Sequence, residues 1–330
     1  MSVPGVITLN GERREWPRDQ SIEHLLQDLA LDARVVAVEL NKLVVKRGRY
    51  GETIVRENDE VEIVSFVGGG NAKLTIGFGN DGPKRKGLGA KSALLGTLLQ
   101  AGTNGHARKL ADLAAFETAH NPVVGGADSD PFGVLALPAR TIIADAGGND
   151  LLEVRANGKI TVLATFLPTP VEAPPFLGLP PGTQIPMESV PTTVVQGPDG
   201  AFYVGHLTGF PFVIGAANVY RVPAQGGTPE VYASGFTNII DLALDASGTL
   251  YVLEIGHGLG SPPLPLAPPG RLVRANADGS QTVIYDQLFY PGGLAIGPDG
   301  AAYVTNFSIV PGAVPGLFPD GGTVVRITLD

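Results

Sequence analysis

The chain has 330 residues, 44% of them hydrophobic and 17% charged, which suits a packed core and argues against global disorder. A net charge of -9 argues against general nucleic-acid binding, and no apolar run approaches the ~20 residues of a membrane-spanning helix. With no cysteine, disulfides, thiol nucleophiles and thiolate zinc sites are excluded.

Met1 to Asn10 has neither the basic segment nor the long apolar segment of a secretory signal, so a cytoplasmic protein is expected. Charge and proline then mark a seam. Residues 1–70 hold 21 charged side chains and two prolines, whereas 71–330 hold 34 charged side chains and 26 prolines. Two modules are predicted, 1–70 and 71–330, joined at Gly68-Gly69-Gly70.

In the first module, Val6-Ile7-Thr8-Leu9 is β-prone, Asn10-Gly11 is a two-residue hairpin signal, and Glu12 to Trp16 is the returning strand. Ser21 is a candidate N-cap for a helix whose Ile22, Leu25, Leu26 and Leu29 share one face and which ends near Leu31. Strands follow at Val35–Leu40, from Leu43, and at Val61–Val67, with turns at Asn41-Lys42 and Asn58-Asp59. A hairpin, one helix and further strands in 70 residues make an α+β fold with the helix on one sheet.

Leu9-Asn10-Gly11-Glu12, Val36-Ala37-Val38-Glu39-Leu40-Asn41, Asn58-Asp59-Glu60-Val61-Glu62-Ile63 and Phe66-Val67-Gly68-Gly69-Gly70 occur in an order that resembles ThiS, the β-grasp (ubiquitin-like) sulfur carrier of thiamine biosynthesis. Lys46 and Asn58 depart from that pattern, standing where relatives usually carry Pro and Gly. The resemblance implies a carrier whose terminal glycine carboxylate is adenylated by a partner using ATP and converted to a thiocarboxylate. The sulfur then goes to the thiazole synthase. Gly70 would carry the sulfur, with Gly69 and Gly68 as reach, because a chain without Cβ threads a narrow channel. Gly70 is followed by Asn71, however, and an amide cannot be adenylated as a free acid can. Carrier activity therefore requires cleavage after Gly70; without it the triplet is a flexible linker.

The second module repeats. Gly197-Pro198-Asp199-Gly200-Ala201-Phe202-Tyr203-Val204, Asp245-Ala246-Ser247-Gly248-Thr249-Leu250-Tyr251-Val252 and Gly297-Pro298-Asp299-Gly300-Ala301-Ala302-Tyr303-Val304 align, with a weaker copy at Pro138–Ile143. Each is a tight turn between short apolar strands, and second hairpins run from Val219–Val222 to Glu230–Tyr232 and from Leu272–Arg274 to Thr282–Tyr285. A period near fifty residues with four short strands per unit predicts an all-β propeller of about five blades.

Ala119-His120-Asn121-Pro122, Ile143–Asn149, Tyr203–Phe212 with Ala217–Val222, and Gly235–Ala243 resemble the ScyD/ScyE family of propeller proteins, over about 71–330. No settled activity goes with that family. Its members look exported and carry an additional N-terminal blade, so a propeller truncated at its first blade is expected here. Asn71–Phe78 reads as a strand inside a blade rather than its beginning. A gene fusion and a joined gene model are both open.

Asp145, His206, Glu254 and Asn306 fall at one repeat position. If that strand lines the channel, their oxygen and imidazole donors form a candidate divalent-metal set leaning to Ca2+, as in propeller-type lactonases, although polar channel residues commonly hold only water. Gly87-Leu88-Gly89-Ala90-Lys91-Ser92 lacks the phosphate-loop spacing, since Ala90 and Arg85 stand where glycines are required. Lys84-Arg85-Lys86 reads as a solvated loop, and His120 as a loop or packing residue. Three functions follow: a sulfur carrier serving the adenylating enzyme and thiazole synthase, a propeller binding or scaffold protein with an inactive carrier domain, or a metal-dependent lactonase-like hydrolase. The first two are non-enzymatic and are preferred.

Overall fold

A computed structural model describes residues 5–17, 20–29, 31, 33, 36–65, 72–78, 82–102, 106–123, 126–256, 269–276, 278–308 and 322–329. The chain divides into two compact units, Met1–Ala72 with Ala101–Arg108, and Lys73–Gln100 with Lys109–Asp330. Among the described residues no helix is long and apolar enough to cross a membrane.

The first unit is a β-grasp-like α+β fold. Its elements are β1 (Gly5–Leu9), β2 (Glu12–Trp16), β3 (Gln20–Ser21), α1 (Ile22–Asp28), β4 (Val36–Leu40), β5 (Leu43–Val45), β6 (Ile54–Val55) and β7 (Glu60–Ser65). The main sheet has the order β2-β1-β7-β4-β5, with β7 parallel to β1 and antiparallel to β4. Asn10 and Gly11 both take positive φ, as the hairpin signal requires. Ser21 caps α1 by accepting from His24 N, and Ile22, Leu25 and Leu26 bury one helix face. They pack on Ile7, Trp16, Val36, Val38, Val61 and Ile63 from alternate positions of the sheet.

The second unit opens with β8 (Ala72–Ile76), α2 (Gly82–Gly87), β9 (Thr97–Ala101), β10 (Ala107–Asp112) and α3 (Leu113–His120). Next come β11 (Pro131–Ala136), β12 (Arg140–Asp145), β13 (Asp150–Arg155) and β14 (Ile160–Thr165), then a small hairpin of β15 (Thr169–Glu172) and β16 (Gln184–Met187). A further four strands are β17 (Pro191–Gln196), β18 (Phe202–His206), β19 (Ala217–Val222) and β20 (Glu230–Phe236). The next four are β21 (Ile239–Leu244), β22 (Leu250–Glu254), β23 (Gly270–Ala275) and β24 (Gln281–Leu288). The last are β25 (Gly293–Ile296), β26 (Ala302–Asn306) and β27 (Thr323–Ile327).

These strands make successive sheets β8–β10, β11–β14, β17–β20, β21–β24 and β25–β27, the last four antiparallel, in a propeller-like arrangement. First strands lie side by side. Thr192 Oγ1 on β17 donates to the Ile239 carbonyl on β21 at 2.8 Å. The Asp241 carboxylate on β21 accepts from Thr193 Oγ1 on β17 and Leu294 N on β25. Thr75 Oγ1 on β8 donates in the same way to the Phe132 carbonyl on β11. That bond, with β8 at the edge of its sheet, makes β8 a first strand and corrects the expectation that it lies inside a blade.

In the three four-stranded sheets the second strands are buried on both faces, because a neighbouring sheet covers each side. On β12, Ile142 and Ala144 pack toward Phe202 and Val204, while Ile143 packs toward Leu113 and Leu98. On β22, Leu250 and Val252 pack toward Val219 and Phe236, while Tyr251 and Leu253 pack toward Ala302 and Val304. The repeated turns close on their own side chains. Asp199 accepts from Tyr203 and Arg221, and Asp299 accepts from Tyr303 and Arg326. Lys84-Arg85-Lys86 departs from the expected solvated loop: it lies in α2, and buried Arg85 makes a bidentate pair with Asp112.

Candidate functional site

In the first unit the chemistry expected of a carrier falls on Gly68, Gly69 and Gly70, which lie outside the described residues. What the structure positions is the strand leading to them. β7 sits between β1 and β4, so both its edges are bonded. Two turn asparagines add side-chain clamps. Asn10 Oδ1 accepts from Ile63 N at 2.7 Å and its Nδ2 donates to the Ile63 carbonyl, across 53 residues. Asn41 Oδ1 accepts from Glu60 N at 2.9 Å while its Nδ2 donates to Asp59. Read from sequence, both asparagines are only turn formers. Their second task, fastening the strand ahead of the glycines, depends on pairing between distant segments.

In the second unit Asp145, His206, Glu254 and Asn306 are indeed equivalent: each is the last residue of the second strand of its sheet, and each is buried. Three of them do the same local work. Asp145 Oδ1 accepts from Asp130 N, Glu254 Oε1 from Thr237 N and Asn306 Oδ1 from Phe289 N, at 2.6–2.7 Å. In each case the donor lies 15 or 17 residues earlier, in the segment entering the first strand of the same sheet. The repeat position therefore latches the entry loop, satisfying backbone donors that burial would otherwise orphan.

The rest of each environment differs. Glu254 is paired with Arg271 Nη2 at 2.6 Å. Asp145 also accepts from Ser129 Oγ and Gly148 N. His206 stacks on Tyr220 with ring centroids 4.4 Å apart and meets Phe166 edge-on, and its Nε2 has no hydrogen-bond partner among the described residues. Burial drives its pKa down to about 3, so the imidazole is neutral at physiological pH. Phe166 and Tyr220 also line a groove of about 660 Å3 with Leu163 and Pro229. Among the described residues, no three His, Asp or Glu side chains stand where they could hold one metal ion, so Asp145, His206 and Glu254 are not brought together as such a set.

The acidic residue that sequence reasoning missed is Asp150. It faces Asp145 across β12 and β13, is fully buried, and neither carboxylate oxygen has a partner among the described residues. Glu117 on α3 is buried near the same carboxylates. His120, at the end of α3, stacks on Phe116 and stays exposed, which fits a packing residue.

Comparison with known proteins separates the two units. A model of the ThiS family matches residues 7–70. The sulfur carrier protein ThiS of Bacillus subtilis is 39% identical over 66 residues, which are 20% of this chain and all of that protein. The chain belongs to the ThiS family. Its ThiS segment is also 45% identical over 64 residues to the thiazole synthase of Magnetococcus marinus. That match covers 19% of this chain and 20% of the synthase, so the chain spans about a fifth of the length of that relative. For the second unit, a catalytically inactive variant of virginiamycin B lyase from Staphylococcus aureus is 13% identical, with 71% of this chain and 64% of that one covered and a TM-score of 0.40. For residues outside the ThiS segment, the successive small sheets make a generic propeller-like fold.

Proposed function

We propose that residues 1–70 are a sulfur carrier for thiazole formation in thiamine biosynthesis, set free by hydrolysis of the Gly70–Asn71 bond. The observation that carries this reading is that the family match runs to Gly70, the residue expected to bear the sulfur. Hydrolysis adds water across the amide, leaving a Gly70 carboxylate and an Asn71 amine. The adenylating partner then joins that carboxylate to the AMP of ATP and releases pyrophosphate. Sulfur from a donor system displaces AMP, and the thiocarboxylate delivers it to the thiazole synthase. The likeness to a fifth of a thiazole synthase supports a ThiS-like segment being used inside a longer chain.

A binding role for the ScyD/ScyE-like propeller is the second reading, and it rests on a separate observation. Phe176 and Phe210 meet edge-on with ring centroids 6.0 Å apart yet both remain exposed, and Leu167 and Ile214 in neighbouring loops are exposed as well. Loops that hold large apolar side chains in water are suited to a partner.

The intact mass of the protein from its native cell, with and without the adenylating enzyme and ATP, tests the carrier reading. A fragment ending at Gly70 that gains an adenylate or a sulfur supports it. A single uncut chain of 34.2 kDa without an adduct overturns it and leaves the propeller-like unit as the working part.

A further inference from the structure

The repeat makes its own control for a buried carboxylate. In the sheet β21–β24, Glu254 faces Arg271 across β22 and β23, and the two form an ion pair. In the sheet β11–β14, the equivalent Asp145 faces Asp150, a second acid, in the same register. Both are at most 1% exposed. Their carboxyl carbons lie 3.4 and 3.5 Å from the point that a Cβ on Gly148 would occupy, so the two groups converge over that glycine. Asp145 has three donors, whereas Asp150 has none among the described residues. Three residues further along β13, Glu153 is less enclosed, at 5% exposed, and is held by Arg140 and Arg155. Asp150 is the exception on its own strand.

Helix α3 closes over this pair. Leu113 packs on Ile143, Leu152 and Val154, and Glu117, one turn on, is 3% exposed. Among the described residues, the charges that act most on Glu117, Asp145 and Asp150 are other carboxylates, including Asp128 and Asp130 in the segment before β11. The cations near the start of α3, Arg85 and Lys109, are engaged by Asp112. Its other titratable group, His120, is exposed.

We propose that Glu117, Asp145 and Asp150 form a pH-sensitive joint between α3 and the sheet β11–β14, closed while the cluster holds protons and loosened when it loses them. Two buried carboxylates in register cannot both ionise without a cation. Burial first, and then like charge, pushes Asp150 well above the carboxylate range and Glu117 to about 7. Burial, only partly offset by its hydrogen bonds, lifts Asp145 to about 6. The sign follows. Acids with raised folded pKa values bind more protons when the joint is closed than when it is open, where they titrate near ~4. Closure is therefore firmest in mild acid and weakens as pH climbs through 6 and 7.

Amide hydrogen exchange on the full chain at about pH 5.5 and about pH 8, corrected for the intrinsic rate, reads this directly. Protection of α3 amides is expected to fall by about tenfold per pH unit for each proton released on opening, while β22 amides hold. Asp150→Asn and Glu117→Gln should each flatten that slope, and either one suffices if the other fails to fold. Equal corrected protection at the two pH values overturns the proposal, as does an unchanged slope in the variants. Calcium ions that restore α3 protection at about pH 8 in the native chain but not in Asp150→Asn also overturn it, in favour of a cation site.

Discussion

At the scale of the residue, one sequence position can hold four side chains with different lives. Asp145, Glu254 and Asn306 each accept from a backbone N–H of their own entry segment, yet what faces the two acids across the sheet decides their electrostatics. Glu254 is fully buried and answered by Arg271, whose side chain is 24% exposed. Removing the arginine leaves a buried carboxylate without its cation, so Arg271→Met is expected to destabilise the second unit by about 3 kcal/mol, read from the denaturant midpoint. An unchanged midpoint would show that Thr237 N alone sustains the charge. The equivalence of the four positions was legible from the repeat. Their partners were not, because Arg271 and Asp150 come from third strands whose register is set only on folding.

At the scale of the element, the strands declared themselves best where both faces are covered. Phe202–Val204 and Leu250–Leu253 are continuous apolar runs because alternate residues fill two different layers. First strands approach so closely that glycine is required at one point. A Cβ on Gly133 of β11 would stand 2.7 Å from the Thr192 carbonyl oxygen and 2.9 Å from Thr193 Cα, and backbone there has little room to give. Gly133→Ala should cost about 1–3 kcal/mol, measured as a lowered midpoint. An unshifted midpoint would mean that β11 and β17 can separate freely. Helix α3 was harder to foresee. Its eight residues are too few to show a period, although Asp112, which caps the helix through Ala115 N, and Asn121, which ends it in a left-handed conformation, are signals of the right kind. In α2, a run of three basic residues looked solvated because nothing local reveals that Asp112, 27 residues away, will bury Arg85.

At the scale of the whole molecule, the division into a charge-rich ThiS module and a proline-rich propeller-like unit was visible in composition and in the repeat, and the carrier reading turns on a single bond. Replacing Asn71 by a stop codon should give a chain that releases pyrophosphate with the adenylating enzyme and ATP, whereas the uncut chain should give none. Pyrophosphate from the uncut chain would mean that Gly70 is not the acceptor. Local signals were enough for what local chemistry controls: the Asn10-Gly11 hairpin, the Ser21 cap, the turn-and-strand period and the equivalence of Asp145, His206, Glu254 and Asn306. The tertiary structure alone decided that β8 is a first strand, that three of those four side chains latch their own entry loops, and that Asp145 meets Asp150 rather than an arginine. Charge balance in a buried pair depends on which two segments are brought into register, and spacing along one strand carries no record of its partner.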